Sequence, residues 1–396
     1  MRIGIFTDSY YPHISGVSTS IKILKEGVEA MGHKVFIVAP NLDNNKFIYD
    51  KKNKIIYLPG IKTGLYKLKI TEFYSQKAMK IIKNDWCLDV IHSQSEFGIG
   101  YFSRIVAKKL NLPVVHTYHT LYDDYTHYIF HGHFNKAIKR IVYKLTTYYC
   151  DKNCDELIVP TDKIKELFKN KYQITRKMSV IPTGIDIKKF YKTNTLKKKA
   201  VELRKKYNIK SDDFIIGSVG RVAAEKSFDK TLYTLVDLIK INNKIKFMLI
   251  GDGPEIDNIK NIIKKLKLEK NVILTGLIDY ELIPAYYQVF NVMVSFSKTE
   301  TQGLTIIEGL AASLPVVCVD DYSFRSMVQN NYNGFLFNSD DEYQKYILSL
   351  VNNKELYKTI SMNAKNSVYS YSKEVFASRV LKVYHEAIEK KAHKSP

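Results

Sequence analysis

Phe214-Ile215-Ile216-Gly217-Ser218-Val219-Gly220-Arg221 is an apolar run that closes on a glycine and a cation. A strand that is apolar throughout, rather than alternating, belongs in a parallel sheet covered on both faces. Runs of the same kind recur at 246–250, 271–275, 291–295 and 315–319, each followed by a loop bearing Gly, Pro or an acid and then a helix-like stretch. Upstream, strand-like runs at 2–6, 34–38, 89–92, 113–117 and 156–159 alternate with helical patterns at 17–31 and 98–110. This βα rhythm predicts an α/β fold built of two doubly wound, Rossmann-like sheets. Facing across a cleft, two such sheets would bring strand carboxyl ends and helix N-termini to a shared ligand site.

The 396 residues exceed what one core usually supports, and 45% hydrophobic with 26% charged residues is a globular composition without a bilayer-spanning run. The start of the chain enters a strand directly, with no apolar segment or small-residue cleavage site, so the expected location is the cytoplasm. Cys87, Cys150, Cys154 and Cys318 are too few and scattered for a disulfide framework, and read as buried thiols. The formal charge of +21 is unevenly spread. Residues 1–181 carry 28 Lys and Arg against 16 Asp and Glu, residues 182–211 carry 10 against 2, and residues 212–396 carry 23 against 22. The expected organisation is a basic first domain, 1–181, a basic linker and hinge, 182–211, a near-neutral second domain, 212–371, and a closing segment, 372–396.

In the second domain, Glu300-Thr301-Gln302-Gly303-Leu304-Thr305-Ile306-Ile307-Glu308 brackets a glycine-opened helix start with two carboxylates. A helix N-terminus suits a phosphate, and carboxylates accept hydrogen bonds from sugar hydroxyls, so one nucleotide-sugar would satisfy both. Arg221, Lys226 and the run Gly251-Asp252-Gly253-Pro254 sit at other strand ends. Two fixed cations beside a helix N-terminus stabilise the charge that develops on a departing diphosphate. His116, His119, His127, His131 and His133 fall within eighteen residues, yet they do not read as a metal site; His116 is expected to point into the first sheet, and only His119 is taken as catalytic.

The ordered set of Gly16 in Ile14-Ser15-Gly16-Val17, His119 in Thr117-Tyr118-His119-Thr120, Asp186 in Pro182-Thr183-Gly184-Ile185-Asp186, Arg221 with Lys226, Gly251-Asp252-Gly253-Pro254, and Glu300 with Glu308 resembles the retaining glycosyltransferases of family 4. The resemblance covers nearly the whole chain. It implies a GT-B fold, with acceptor binding in the first domain, a nucleotide-sugar in the second, and a last helix, 372–390, crossing back to the first. It implies that Glu308 binds the ribose, that Glu300 holds hydroxyls of the donor hexose, and that Arg221 and Lys226 neutralise the diphosphate with help from Gly251, Gly253, Gly303 and the backbone of Leu304 and Thr305. His119 would lie beside the donor sugar and Gly16 would let a loop approach the phosphate without a side chain. Same-face attack would retain configuration with no enzyme nucleophile, no metal and no cofactor beyond the UDP-sugar. Thr301 and Gln302 stand where many members have an aromatic residue before the glycine, and Gly16 is single where many have two.

The acceptor is read from the first domain. Residues 67–83 place Ile70, Phe73, Tyr74, Ala78, Ile81 and Ile82 on one helical face amid Lys67, Lys69, Lys77, Lys80 and Lys83, and 133–149 repeats the pattern around Ile141 and Leu145. Either stretch fits a core helix with a solvated lysine face or a membrane-surface helix, and the charge favours the membrane. Tyr10 and Tyr11 join this acceptor-side set. Within the family the chain resembles bacterial diacylglycerol glucosyltransferases, implying transfer of glucose from UDP-glucose to diacylglycerol at the cytoplasmic face of an anionic membrane. Another lipid, a polysaccharide or a soluble acceptor is the alternative. Nucleic-acid binding, which a pI near 9.4 would allow, lacks any recognisable motif. Oligomeric state is not written in the sequence.

Overall fold

The computed structural model describes residues 1–13, 15–62, 69–71, 73–96, 98–119, 135–298, 300 and 302–394. The chain divides into two units, Met1–Gly184 with Lys373–Pro396, and Ile185–Ser372.

The first unit is built on β1 (Arg2–Phe6), β2 (Lys34–Pro40), β3 (Ile48–Asp50), β4 (Ile55–Leu58), β7 (Val90–Ser93), β8 (Val114–Thr117), β9 (Glu156–Val159) and β10 (Met178–Val180), with β5 (Gly60–Lys62) and β6 (Lys69–Thr71) paired separately. The order is β10-β9-β8-β7-β1-β2-β4-β3, all parallel except β3. From β1 the chain goes first to β2 on one side and later to β7 on the other, so the order reverses at β1. Ser15 opens the helix Gly16–Ala30 by accepting from the Ser18 amide while the Ser18 hydroxyl accepts from the Ser15 amide, a reciprocal cap.

That helix packs on the last one, Lys373–Lys394, whose Phe376, Ala377, Val380, Val383 and Tyr384 enter the first unit's core. The contact is close. A Cβ on Gly27 would stand 2.7 Å from the Ala377 Cβ and 2.9 Å from the Lys373 carbonyl. Ion pairs from Lys390 to the buried Glu156 and from Glu386 to Lys177 (2.6 Å) tie the same helix to the sheet. The last helix therefore belongs to the first unit, as the resemblance implies.

The second unit holds β11 (Phe214–Val219), β12 (Ile245–Ile250), β13 (Val272–Leu274), β14 (Val292–Ser295), β15 (Val316–Val319) and β16 (Gly334–Phe337) in the order β13-β12-β11-β14-β15-β16, all parallel. Its order reverses between β11 and β14. β12, β14 and β15 are buried on both faces, as their continuous apolar runs require, while the edge strand β13 is half-buried.

Three expectations are corrected. Residues 182–211 are not a free linker: from Ile185 they belong to the second unit, forming the 3-10 turn Ile187–Phe190 and the helix Asn194–Lys206, with Ile187, Phe190 and Ala200 in its core. Residues 67–83 are not one helix: Lys69 lies in β6, and the helix Gln76–Ile81 begins only at the Ser75 cap, leaving Phe73 and Tyr74 ahead of it and exposed. Cys87 is exposed, unlike the other three thiols. Lys67 and the stretch 120–134, with His127, His131 and His133, lie outside the described residues.

Candidate active site

In a doubly wound sheet, ligands bind beyond the strand carboxyl ends where the order reverses. In the second unit that place lies beyond β11 and β14, and the candidate residues gather there. β11 runs into Gly220 and the exposed Arg221, then the 3-10 turn Ala224–Lys226. β14 runs into Ser297 and Glu300. Two links join these loops: Lys226 Nζ lies 2.5 Å from Glu300 Oε1, and the Ser297 hydroxyl donates to the Glu225 carbonyl at 3.2 Å. The ion pair is mostly shielded, with 26% and 17% of the two side chains exposed. The Ser323 hydroxyl, donating at 2.5 Å to the Glu300 carbonyl, holds that segment from the other side.

Backbone crowding explains the glycines. Gly251, after β12, has φ +142°, and a Cβ there would stand 1.9 Å from the Gly220 carbonyl oxygen. At Gly253 a Cβ would meet the Val222 carbonyl at 2.3 Å. The two loops thus lie backbone to backbone, and only glycine fits. Gly303, at φ +75°, is the N-cap of the helix Leu304–Ala311, so the cap supplies no capping oxygen of its own and the dipole's positive end is offered at Leu304 and Thr305.

Glu308 sits on that helix, 7% exposed, and accepts from the Tyr287 hydroxyl at 2.7 Å and from Tyr280 at 3.5 Å. Burial pushes its pKa up to about 7, against the lowering effect of the two hydroxyls. Tyr287 also donates to the Thr305 carbonyl at 3.2 Å, binding the carboxylate to the first helical turn. Neither tyrosine was singled out from the sequence; a phenol has no spacing signature, and only the fold puts the short helix Ile283–Tyr287 beside Leu304–Ala311.

The first unit places the remaining candidates. Gly16 begins its helix with nothing within 4 Å of where a Cβ would stand. His119 follows β8, partly buried, and its Nε2 donates to the Gln94 carbonyl oxygen. Burial lowers its pKa to about 4, so the ring is neutral; Glu96 opposes this shift. His116 is fully buried on β8, as expected, and 3.1 Å from Glu96 Oε1. Gln94 and Glu96 were missed, although polar residues straight after an apolar strand were a usable signal. Tyr10 is a correction: at 6% exposure it is part of the core and not an acceptor-side surface group, while Tyr11 is only partly buried beneath Lys22. Among the described residues no group of three or more His, Cys, Asp or Glu is arranged to hold a metal ion, and no helix is long and apolar enough to cross a membrane.

Residues 14–189 match the model for Glycosyltransferase Family 4 and residues 200–367 the model for Glycosyl transferases group 1. An alpha-monoglucosyldiacylglycerol synthase of Acholeplasma laidlawii is 36% identical over 397 residues, covering 98% of both chains. The chain belongs to glycosyltransferase family 4. An alpha-monoglucosyldiacylglycerol synthase of Streptococcus pneumoniae is 33% identical over 98% of this chain and 86% of its own length. Among solved structures, Anabaena HepE in complex with UDP and glucose aligns over 98% of this chain and 100% of its own with a TM-score of 0.71 at 17% identity, a likeness of fold. The family-4 enzyme described here therefore has the expected GT-B architecture and transfers glycosyl groups.

Proposed function

We propose that this glycosyltransferase moves glucose from UDP-glucose to diacylglycerol, giving monoglycosyl-diacylglycerol with anomeric configuration retained, at the cytoplasmic face of an anionic membrane. The observation that carries the donor half is the Lys226–Glu300 pair, joining the two loops beyond the reversal of the second sheet. In this reading Glu308 takes the ribose hydroxyls and Glu300 those of the hexose. Arg221, Lys226, the glycine loops at Gly251 and Gly253, and the helix end at Gly303, Leu304 and Thr305 take up the diphosphate's growing charge in place of a metal. The leaving phosphate removes the acceptor's proton from the same face, so no enzyme nucleophile is used. From the first unit, Gly16 serves the phosphate and His119 the donor sugar.

Support for a lipid acceptor comes from two sides. The two relatives named above are alpha-monoglucosyldiacylglycerol synthases. The first unit also exposes Phe73, Tyr74, Tyr101, Ile141 and Leu145 among the exposed cations Lys77, Lys80, Lys109, Arg140 and Lys144. Phe73 meets Tyr101 edge-on at 5.7 Å, and Lys109 lies 4.5 Å over Tyr74, so aromatic and cationic groups meet at the surface there. Each Lys or Arg near an anionic leaflet adds roughly 1 kcal/mol, which salt removes.

The test is incubation of labelled UDP-glucose, UDP-galactose or GDP-mannose with diacylglycerol in mixed micelles, with and without EDTA, followed by lipid extraction. Label in an α-linked glycolipid from UDP-glucose alone, undiminished by EDTA, is the expected result. Absence of labelled lipid from any donor would refute the acceptor.

A further inference from the structure

Behind His119 runs a chain of buried polar side chains that the transfer reaction, as outlined, leaves unused. His92, on β7, is 1% exposed. Its Nδ1 lies 2.6 Å from the hydroxyl of Tyr384, itself fully buried on the last helix, and its Nε2 lies 2.7 Å from Thr117 Oγ1. The side-chain nitrogen of Gln94 is 3.3 and 3.2 Å from the two nitrogens of the His92 ring, and the other end of that amide, its carbonyl oxygen, accepts from His119 Nε2. Tyr384, His92, Gln94 and His119 all belong to the first unit.

The chemistry of the last link is restrictive. A carbonyl oxygen only accepts, so the nitrogen facing it must carry the proton. A neutral imidazole has one proton, and Nδ1 is then left with the lone pair. Whether the ring accepts from a sugar hydroxyl or donates to it depends on this tautomer. The groups that bear on the charge of His119 are Glu96 and His116, and those bearing on His92 are His119, His116 and Arg104. Burial keeps both rings neutral, which leaves tautomer and orientation as the variables.

We propose that Gln94 is a positioning residue for His119, held in place by His92 and Tyr384, so that the seating of the last helix reaches the histidine's ring through three side chains. The proposal rests on the reading of His119 as a group beside the donor sugar, and the test separates the two. Full-length protein labelled with 15N-histidine is compared as wild type, Gln94→Leu, Gln94→Glu, Tyr384→Phe and His119→Ala. The wild type is expected to show the Nε2–H tautomer at His119. Gln94→Leu mixes in the other tautomer and lowers kcat about 10- to 100-fold with little change in the KM for the donor. Gln94→Glu, still an acceptor, restores the tautomer and moves the acid limb of the pH–rate profile upward, because a carboxylate favours the protonated ring. Tyr384→Phe keeps the ring's packing and lowers kcat several-fold. Wild-type kcat and unchanged His119 signals in Gln94→Leu and Tyr384→Phe, beside an inactive His119→Ala, would overturn the proposal and leave the reading of His119 standing. Full activity in His119→Ala would instead remove that reading and the proposal with it. Should Gln94→Leu fail to fold, the pH profile of Gln94→Glu and the kcat of Tyr384→Phe decide.

Discussion

Replacing Glu308 by Gln should stabilise the second unit, increasingly as the pH rises from 4.5 to about 7 and fully above that. The folded carboxyl has a pKa of about 7 against an ordinary 4.5, because burial opposes its charge. Between those values the folded chain holds a proton that the unfolded chain has lost, so stability contributed by this group is complete below pH 4.5 and declines until pH 7 is passed. At about 1.4 kcal/mol per unit, ionising the buried carboxyl costs about 3 kcal/mol at pH 8. Glutamine keeps an oxygen to accept from Tyr287 and never ionises, so the variant's advantage should grow from nothing at pH 4.5 to about that value at pH 8. For a unit the size of Ile185–Ser372 each kcal/mol moves the midpoint by about 2–4 °C, giving roughly 6–12 °C. The assay is thermal unfolding of both proteins at the two pH values, with UDP absent. Comparing the pH values cancels any fixed cost of the amide's extra N–H group. A midpoint difference that is the same at pH 4.5 and pH 8 would refute the argument. The gain should come with loss of donor affinity, since the same charge is proposed to bind the ribose.

Three further outcomes follow from the geometry. Glu300→Gln should remove the Lys226 ion pair and, in the proposed role, cost on the order of 10- to 100-fold in kcat/KM for the donor, measured by initial rates; an unchanged value would dissociate the pair from the sugar. Gly251→Ala must push its loop off the Gly220 carbonyl, and titration calorimetry with UDP should show binding weakened well beyond any fall in melting temperature. Gly27→Ala inserts a methyl 2.7 Å from the Ala377 Cβ and should cost about 1–3 kcal/mol, read as a lowered denaturant midpoint. An unshifted midpoint there would mean that the last helix is loosely seated.

The parts of the molecule legible in the sequence are those in which a local pattern answers directly to burial. β1, β9 and β11 lie where largely apolar runs end on Thr7, Pro160 and Gly220, because a strand covered on both faces is mostly apolar. The glycine at 251 could be read because backbone contact excludes every side chain. Residues 67–83 misled for a physical reason: Ile70 and Phe73 keep helical spacing with Ala78 and Ile81, yet 69–71 pair as a strand, and the Ser75 cap starts the helix late. Lysine-rich 194–206 looked like a tether because its apolar contacts are few, but Ala200 and the preceding Phe190 suffice to dock it. Tyr287 under Glu308 left no trace in the sequence because it acts from a separate short helix, whereas Gln94 behind His119 left only the weak signal of a polar residue straight after an apolar strand.

The seat of the last helix has a consequence for biogenesis. Residues 373–394 leave the ribosome after the whole second unit, yet the first unit's core includes Phe376, Val380 and Tyr384, and the buried Glu156 is ion-paired with Lys390. The half synthesised first is therefore completed last. Until then the apolar face of the helix Gly16–Ala30 at Ile21, Leu24 and Val28 lacks the helix that covers it. A nascent chain of this enzyme has reason to linger on a holdase until residues 373–394 arrive.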